Sequence, residues 1–361
     1  MQCDVIVVGA GISGLATADR LGPGLESMVL EAGTRVGGRL HSVDGLDLGA
    51  SWFWPGERRV ASLVEELDIP THPQFLDGDA VYEASDGVVR LDGNPIDVPA
   101  SRFSTGADDL CNALRERITA RPGSSVVLDS RVRGIEATDT DRRPLVVTVE
   151  QAGRDRTICA DHVVLALPPA LAAASIEFHP PLPHEMAELA NRTPVWMGTT
   201  TKTVIRYRDA FWRDAGLSGS AVSQRGPLRE IHDLSGPGGR PAALFGFSPT
   251  AARSDPIERS AVVAQLVRLF GPSAADPLAV HVADWRRETL TAPVGVDMLT
   301  DYSTFGDPRF GRPGFDGRLH WTSTETATTA PGHIEGALAA AERTVSLIRT
   351  AAHSPRHLET R

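Results

Sequence analysis

The sequence begins with an apolar run, residues 3–8, that leads directly into closely spaced glycines, Gly9-Ala10-Gly11-Ile12-Ser13-Gly14. The run is typical of a strand buried on both faces, and residues 12–21 predict a helix. In such a unit the first glycine permits a tight turn, the second lets the backbone approach a pyrophosphate, and the third lets helix and strand pack closely. The order predicts a dinucleotide site at the helix N-terminus, where free N–H groups and the helix dipole face the phosphates.

A second strand and an acidic residue follow at the spacing that a nucleotide-binding fold requires. Residues 28–30 are apolar and end in Glu31, which lies 17 residues after Gly14. A carboxylate at about this position binds the ribose hydroxyls of a dinucleotide. Strand, glycines, helix, strand and acid in this order predict a Rossmann-type fold, but they do not by themselves distinguish NAD from FAD.

Composition and charge exclude several classes of partner. The net charge of -10 argues against nucleic acid, because no excess of basic residues is available to neutralise phosphates. No apolar run is long enough to span a bilayer, and a strand that begins at residue 3 leaves no room for a signal peptide. The chain ends in a polar stretch, residues 354–361, so we expect no membrane anchor there.

The cysteines and histidines indicate a reducing compartment and no metal site. Three scattered cysteines, Cys3, Cys111 and Cys159, are typical of reduced, mostly buried thiols in the cytoplasm. The histidines show no ligand spacing on one helix face. A chain of 361 residues is long enough for two joined domains, which we expect here.

Periodicity predicts further elements along the chain. Helices are predicted at residues 61–67, 106–118, 257–270 and 333–351. Strands are predicted at 80–82, 88–91, 163–167, 200–207 and 280–285, and a β-meander at 126–128, 132–137 and 145–149. Phe211-Trp212 is predicted to lie in a loop.

Two segments near the N-terminus carry a resemblance to a known family. Glu31-Ala32-Gly33-Thr34-Arg35-Val36-Gly37-Gly38-Arg39 and Asp47-Leu48-Gly49-Ala50-Ser51-Trp52 resemble the flavin amine oxidases, which include monoamine and polyamine oxidases. The resemblance implies that Arg35 and Arg39 lie against the phosphates of FAD and that residues 49–51 lie beside the flavin. Glycines allow the backbone to approach a cofactor closely, and arginines offer planar donors to phosphate oxygens.

A segment near the C-terminus is similar to the closing motif of that family. Residues 319–327 predict a strand that runs into a turn, with Ser323 where the family usually has glycine, and Pro331-Gly332 precede a long helix. The resemblance implies that Glu325 binds the ribityl chain. It also implies that the helix directs its N-terminus at the pyrimidine edge of the flavin, where its dipole stabilises negative charge on the reduced ring.

The resemblance, which covers nearly the whole chain, predicts the fold and the cofactor. We expect a mixed α/β fold: a discontinuous Rossmann-type FAD-binding domain of the glutathione-reductase-like kind (residues 1–58, 104–175 and 306–361) and a smaller mixed-sheet substrate domain (59–103 and 176–305). The predicted FAD-binding residues are Gly9, Gly11, Ile12, Ser13, Gly14, Glu31, Ala32, Arg35, Gly38, Arg39, Gly49, Ala50, Ser51, Trp52, Val132, Trp285, Thr324, Glu325, Gly332, His333 and Ile334.

The candidate catalytic residue is Lys202. Of the 36 lysines and arginines in the chain it is the one lysine. It lies in a predicted strand that resembles the family strand whose lysine holds a water against flavin N5, which implies a role in flavin reoxidation or imine hydrolysis. The alternative is a strand lysine that extends to solvent. Trp285 matches a family tryptophan near the flavin, and ordinary core packing is the alternative for it.

Three departures from the family bear on cofactor and substrate. Residues 286–305 contain no cysteine, with Met298 near the place of the family's flavin-linking cysteine, so we expect noncovalent FAD. The two positions of the monoamine oxidase tyrosine cage correspond to Leu299 and His333, which with Trp52 are the predicted substrate residues. Only residues 53–105 are available to cover the flavin. The substrate site is therefore either open to a bulky substrate or covered by a partner, such as a second subunit in a homodimer.

The implied reaction is hydride transfer from a carbon beside an amine nitrogen to flavin N5. The resulting iminium is hydrolysed, and O2 reoxidises the flavin to give hydrogen peroxide. Two alternatives remain open at this point. One is a flavin desaturase or redox isomerase acting on a bulky natural-product intermediate, and the other is a non-catalytic binding module with a flavin fold. NAD as the working cofactor is disfavoured because the C-terminal motif is specific to a flavin.

Overall fold

The computed structural model describes residues 1–140, 142–248 and 257–353; the polar stretch at 354–361 lies outside this range. Within the described residues the chain forms eight α-helices: α1 (Ile12–Leu21), α2 (Arg58–Glu66), α3 (Asp109–Thr119), α4 (Pro169–Ser175), α5 (His184–Arg192), α6 (Phe211–Asp214), α7 (Arg259–Phe270) and α8 (Ile334–His353). No helix of this described part is both long and apolar enough to cross a membrane.

The strands of the described residues are β1 (Gln2–Val8), β2 (Ser27–Leu30), β3 (Ser42–Val43), β4 (Leu46–Asp47), β5 (Trp52–Phe53), β6 (Thr71–Pro73), β7 (Asp79–Glu83), β8 (Val88–Arg90), β9 (Ser101–Phe103), β10 (Ser125–Val127), β11 (Arg131–Ala137), β12 (Leu145–Gln151), β13 (Arg154–Leu165), β14 (Glu177–His179), β15 (Thr201–Tyr207), β16 (Leu217–Ser223), β17 (Glu230–Asp233), β18 (Ala242–Ser248), β19 (Ala279–Asp284) and β20 (Leu319–Trp321).

The chain divides into two compact units. Unit 1 comprises residues 1–38, residues 111–196 and the chain from residue 289 onward, and unit 2 comprises residues 39–110 and 197–288. Both units are therefore discontinuous in sequence. The functional division predicted above, with FAD-binding and substrate domains, stays a prediction.

Unit 1 is built on an eight-stranded sheet in the order β10-β2-β1-β13-β12-β11-β14, with β20 also paired to β13. The strands β10, β2, β1, β13 and β20 run parallel to one another. Residues 5–8 of β1 are all buried, which explains the continuous apolar run at the start of the sequence. The predicted mixed α/β fold is confirmed.

The predicted β-meander is wrong in one strand. β10 pairs in parallel with β2, and the antiparallel meander consists of β11, β12 and β13. β13 begins at Arg154, well before the predicted start at Val163. Its first four residues are polar and largely exposed, so the sequence lacks the alternation that marks a half-buried strand there.

One short helix was not predicted, and one predicted loop is wrong. Pro168-Pro169 follows β13 and starts α4, because proline is tolerated in the first turn of a helix. Phe211-Trp212 begins the short helix α6 and does not lie in a loop. The Trp212 side chain is completely buried in the core of unit 2.

Unit 2 contains a seven-stranded sheet, β19-β15-β18-β17-β16-β7-β8, and a three-stranded sheet, β5-β9-β6. β15 pairs antiparallel with β18 on one side and with β19 on the other. The helix α7 contributes Val262 and Leu266 to the core, and the Gln265 side chain hydrogen-bonds the backbone N–H and carbonyl of Leu228. Lys202 lies on β15, and its side chain is buried within this unit.

A pair of buried histidines joins β13 and β20 in unit 1. His162 Nδ1 lies 3.2 Å from His320 Nε2, and the two residues are 9% and 2% exposed. Burial lowers the pKa of His320 to about 3, and the positive charges of His162 and Arg343 act in the same direction. His320 is therefore neutral in the folded protein at every pH near neutrality.

Because His320 is buried in its neutral form, we predict that the folded protein loses stability in mild acid. The unfolded chain protonates His320 at its ordinary pKa of 6.5 but the folded chain only near 3, so stability falls as pH decreases from 6.5 towards 3. At pH 5 this residue alone is expected to lower the free energy of unfolding by about 2 kcal/mol relative to pH 8. Urea unfolding at both pH values should show a smaller difference for His320→Gln than for the parent protein. His184→Gln, at an exposed histidine, is the control. An unchanged pH difference in His320→Gln would contradict the prediction.

Candidate active site

Two glycines of the N-terminal turn are required by packing within unit 1. Gly9 has a φ of +102°, and a Cβ there would lie 2.8 Å from Leu167 Cδ2. A Cβ on Gly14 would overlap the carbonyl oxygen of Gly9. The turn and the close approach of α1 to β1 therefore depend on glycine at these two positions.

Gly11 has no such reason within the protein. It is the N-cap of α1, and a Cβ there would find only the Gly37 carbonyl oxygen, at 3.9 Å. No side chain caps the helix, and the first N–H groups of an α-helix have no acceptor inside the helix. Open space beside uncapped N–H donors fits an anionic group such as a pyrophosphate.

Glu31 is fixed at the end of β2 by two backbone donors. One carboxylate oxygen accepts from Ala10 N and the other from Gly33 N, each at 2.8 Å. Each oxygen keeps a further lone pair, so the group can still accept from a ribose hydroxyl. Arg35 donates from Nη2 to the Gly38 carbonyl at 2.9 Å, which holds its guanidinium on the loop that follows.

The two end motifs of the chain meet in unit 1. Ser13 Oγ donates to the backbone carbonyl of Thr322, which lies within the closing motif. Thr324 Oγ1 accepts from Gly332 N at 2.9 Å and donates to the His333 carbonyl at 2.8 Å, which organises the turn before α8. Glu325 is completely buried, and its Oε1 accepts from Trp196 N at 3.2 Å.

An aromatic cluster that the sequence did not predict surrounds the start of α8. The Trp196 ring lies 5.9 Å from Tyr302, 6.4 Å from Phe305 and 6.1 Å from His333, measured between ring centres. Gly332 lies against the same indole, because a Cβ there would be 2.6 Å from Trp196 Cδ2. Trp196 stands outside every recognised motif, so the sequence carried no signal for it.

In unit 2 the segment that includes Gly49 is held by its surroundings. Gly49 N donates to the His41 carbonyl at 3.1 Å, and Trp285 Nε1 donates to the Leu48 carbonyl at 3.2 Å. A Cβ on Gly49 would overlap the Arg39 carbonyl oxygen. Trp285 is thus buried and packs on this segment, while its predicted contact with the flavin stays a prediction.

Lys202 reaches the same segment from β15. Its side chain is 2% exposed, and Nζ donates to the Gly49 carbonyl at 2.9 Å and to Ser51 Oγ. Nζ also lies 4.1 Å from the centre of the Phe245 ring. The alternative interpretation, a lysine that extends to solvent, is therefore wrong.

The pKa of Lys202 depends on its burial and on two nearby charged groups. Burial lowers the pKa of Lys202 to about 7, with the Asp47 carboxylate opposing the shift and the Arg102 guanidinium adding to it. In the described part of the chain no carboxylate lies within ion-pair distance of Nζ. As a neutral amine, Nζ donates its two hydrogens to Gly49 and Ser51 and keeps one lone pair. That lone pair can accept a proton or hold a water.

Trp52 is surrounded by residues that the sequence did not single out. Its ring lies 5.3 Å from the His232 ring and 5.4 Å from the Phe245 ring, and Arg102 Cζ lies 5.9 Å from its centre. These partners are between 50 and 193 positions away in the sequence, so no local pattern could indicate them.

His232 is held between two carboxylates. Nδ1 lies 2.5 Å from Asp97 Oδ1, and Nε2 lies 3.2 Å from Glu230 Oε1. Burial by itself lowers the pKa of this imidazole, but the hydrogen bonds and charges of Asp97 and Glu230 outweigh it and raise the pKa. The two carboxylates therefore favour the charged form of this histidine in the wall of unit 2 behind Trp52.

The other predicted site residues lie on the same elements without a polar side-chain contact of their own. Ile12, Val132 and Ile334 are buried, whereas Ala32 and Leu299 are half-buried. Val132 lies at a register shift in β11. The roles assigned to these residues stay predictions.

A family model described as flavin containing amine oxidoreductase matches residues 12–104 and 99–349. The match includes the last three residues of the N-terminal turn, the Gly49 segment, β15 and the closing motif. The chain belongs to the flavin-containing amine oxidoreductase family. It is accordingly an FAD-dependent oxidoreductase of the amine oxidase type, and it acts on amines with O2.

Relatives within the amine oxidoreductase family match almost the whole chain. Amine oxidase [flavin-containing] B of Sus scrofa is 26% identical over 95% of this chain and 85% of its own length. Putrescine oxidase of Kocuria rosea is 26% identical over 94% of this chain and 93% of its own length. The structure of cyclohexylamine oxidase from Brevibacterium oxydans superposes with a TM-score of 0.78 at 23% identity and covers 98% of this chain. The fold, including the Rossmann-type FAD-binding domain, is confirmed.

Proposed function

We propose that this protein oxidises a bulky amine at the carbon beside its nitrogen, with Lys202 as the catalytic lysine. Bound FAD would supply the hydride acceptor and the path of two electrons to O2, so that the amine would become an iminium and O2, with a proton, hydrogen peroxide. The observation that carries the proposal is the placement of the one lysine of the chain on the Gly49–Ser51 segment. The family resemblance implies that this segment lies beside the flavin, which is part of the proposal.

The role of Lys202 follows from its hydrogen bonds. Gly49 and Ser51 use two positions of Nζ, and the third is available to a water molecule. A pKa near 7 lets Nζ accept a proton from that water or return one within a turnover. Nζ therefore holds and polarises the water used in imine hydrolysis or in flavin reoxidation.

Binding of FAD without a covalent bond is the second part of the proposal. Residues 286–305 contain no cysteine, and the Cys3 and Cys111 side chains are buried while Cys159 is half-buried. The pyrophosphate would bind at the N-terminus of α1, and Glu31 would bind the ribose. Denaturation should therefore release the entire flavin into the supernatant, with none left on the precipitated chain.

The shortness of residues 53–105 supports a bulky substrate, with Trp52, Leu299 and His333 as its contacts. It also supports a homodimer in which the second subunit covers the substrate. The odd number and the scatter of the three cysteines along the sequence favour a cytoplasmic location. Sedimentation of the FAD-loaded protein tests the dimer.

The deciding experiment is anaerobic mixing of the FAD-loaded protein with a panel of amines of increasing size. We expect at least one bulky amine to bleach the flavin and, after O2 is admitted, to give hydrogen peroxide in proportion to the amine consumed. A panel in which no amine bleaches the flavin would overturn amine oxidation. Bleaching by an unsaturated or alcohol intermediate in its place would favour the desaturase or isomerase alternative.

A further inference from the structure

Arg102 is a buried cation directly across the sheet from Trp52. It lies on β9, the central strand of the three-stranded sheet of unit 2, and is paired in register with Trp52 on β5. Cross-strand partners in an antiparallel sheet present their side chains on the same face. Arg102 is 3% exposed, and its Cζ lies 5.9 Å from the centre of the Trp52 ring.

The guanidinium of Arg102 has neutral partners in place of a carboxylate. Nη1 donates to Gln74 Oε1 at 2.9 Å and to the Asp233 backbone carbonyl at 3.1 Å. Among the described residues Arg102 forms no ion pair, and its buried Nε has no hydrogen-bond partner. The carboxylates of Asp47, Asp97 and Asp233 act on the guanidinium from beyond ion-pair distance. A buried charge with no directly paired countercharge is costly, so its presence calls for a purpose beyond stability.

Arg102 and Lys202 share one aromatic ring. Phe245 has Lys202 Nζ at 4.1 Å and Arg102 Cζ at 6.0 Å from its centre. The charged groups that act on Nζ are Asp47 on β4, which favours its positive charge, and Arg102 on β9, which opposes it. Two cations so placed in a water-poor interior repel each other.

We propose that Arg102 is a positioning residue of the reaction, whose fixed positive charge opposes positive charge on Lys202 Nζ and whose guanidinium holds the Trp52 ring. The role of Arg102 rests on the proposed function of Lys202. Gln74 and the Asp233 carbonyl hold the guanidinium in place, so its field at Nζ is constant during turnover. The low pKa of Lys202 is then the combined result of burial and of Arg102.

The single lysine makes a direct test possible. Protein labelled with [6-13C]lysine and loaded with FAD carries one labelled side chain, and its carbon resonance follows protonation of Lys202. We expect a titration midpoint near pH 7 in the parent protein. In Arg102→Met and Arg102→Gln the midpoint should rise by about one pH unit, since removing a nearby like charge restores the charged form.

Two matched variants complete the design. Arg206→Met removes a half-exposed arginine from the same strand as Lys202 and should leave the midpoint unchanged. Arg102→Lys keeps the charge and should restore the parent midpoint; its second signal is assigned with the Arg102→Lys/Lys202→Met double variant. A midpoint equal to that of the parent in both Arg102→Met and Arg102→Gln would overturn the inference. This readout needs no substrate, so a failure of amine oxidation and a failure of the Arg102 role are separately visible.

Discussion

Replacing Lys202 with methionine is expected to leave FAD bound and to slow turnover at least ~10-fold, which corresponds to roughly 1.4 kcal/mol of barrier. Methionine is of similar length and suits a buried site, but it cannot donate to Gly49 and Ser51 or hold a water at the third position of Nζ. Stopped-flow absorbance should separate flavin reduction by the amine from reoxidation by O2. We expect the slower step to be reoxidation of the flavin or release of the hydrolysed product.

The pH dependence gives this prediction a second readout. In the parent protein the rate of the affected step should rise as the pH increases through about 7, because only the neutral amine of Lys202 can accept a proton. Lys202→Met should lose that limb of the profile. Arg206→Met is the control, because it removes a cation from β15 without touching the Gly49 segment. Unchanged rates in Lys202→Met would reduce Lys202 to a structural anchor of residues 49–51.

Gly14→Ala and Gly11→Ala are expected to have different effects: the first lowers the stability of the fold, and the second weakens the binding of FAD. Gly14→Ala places a methyl on the Gly9 carbonyl oxygen, so it should destabilise the FAD-free protein by about 2 kcal/mol or more. Gly11→Ala meets open space and should leave the thermal midpoint of the FAD-free protein nearly unchanged. Its methyl instead occupies the approach to the N-terminus of α1, so the Kd for FAD should rise at least ~10-fold.

Thermal unfolding of the FAD-free proteins and titration with FAD, followed by flavin fluorescence, measure the two effects independently. Gly24→Ala, at an exposed loop position where a Cβ meets nothing, is the control for both. Tight FAD binding by Gly11→Ala would show that the pyrophosphate does not approach this residue. Equal thermal midpoints for the Gly14→Ala variant and the parent would show that α1 can shift away from β1.

The nucleotide-binding part of the fold was predictable because its signals are local. The turn at Gly9–Gly14, the acid at Glu31 and the start of α8 are each marked by residue types at short, fixed spacings, although Glu31 is held by the backbone of Ala10, 21 residues away. Pairing of β10 with β2 was not predictable, because nearly a hundred residues separate the two strands. The polar start of β13 was not predictable for a different reason, since its exposed residues form no apolar face that would indicate a strand.

The residues of the candidate site also differ in whether the sequence could predict them. Lys202 could be predicted because it is unique in the composition and lies in a recognisable strand. Arg102 could not, because it is one of 35 arginines, and its burial follows from the pairing of β9 with β5. His232 on β17 and Asp97, in the connection between β8 and β9, likewise meet only in the folded chain. Long-range pairing therefore decides which of the many charged residues become part of the site.

The burial of Lys202 also has a consequence for the chemical durability of the protein. Hydrolysis of an iminium releases an aldehyde or ketone, and carbonyl compounds condense with primary amines to form Schiff bases and crosslinks. The only side-chain amine of this chain is 2% exposed, and every other basic side chain of the lysine–arginine class is a guanidinium, which is protonated at all relevant pH values. The surface thus offers the enzyme's own product no lysine to modify, and the intact mass should stay constant over many turnovers apart from adducts at the N-terminal amine.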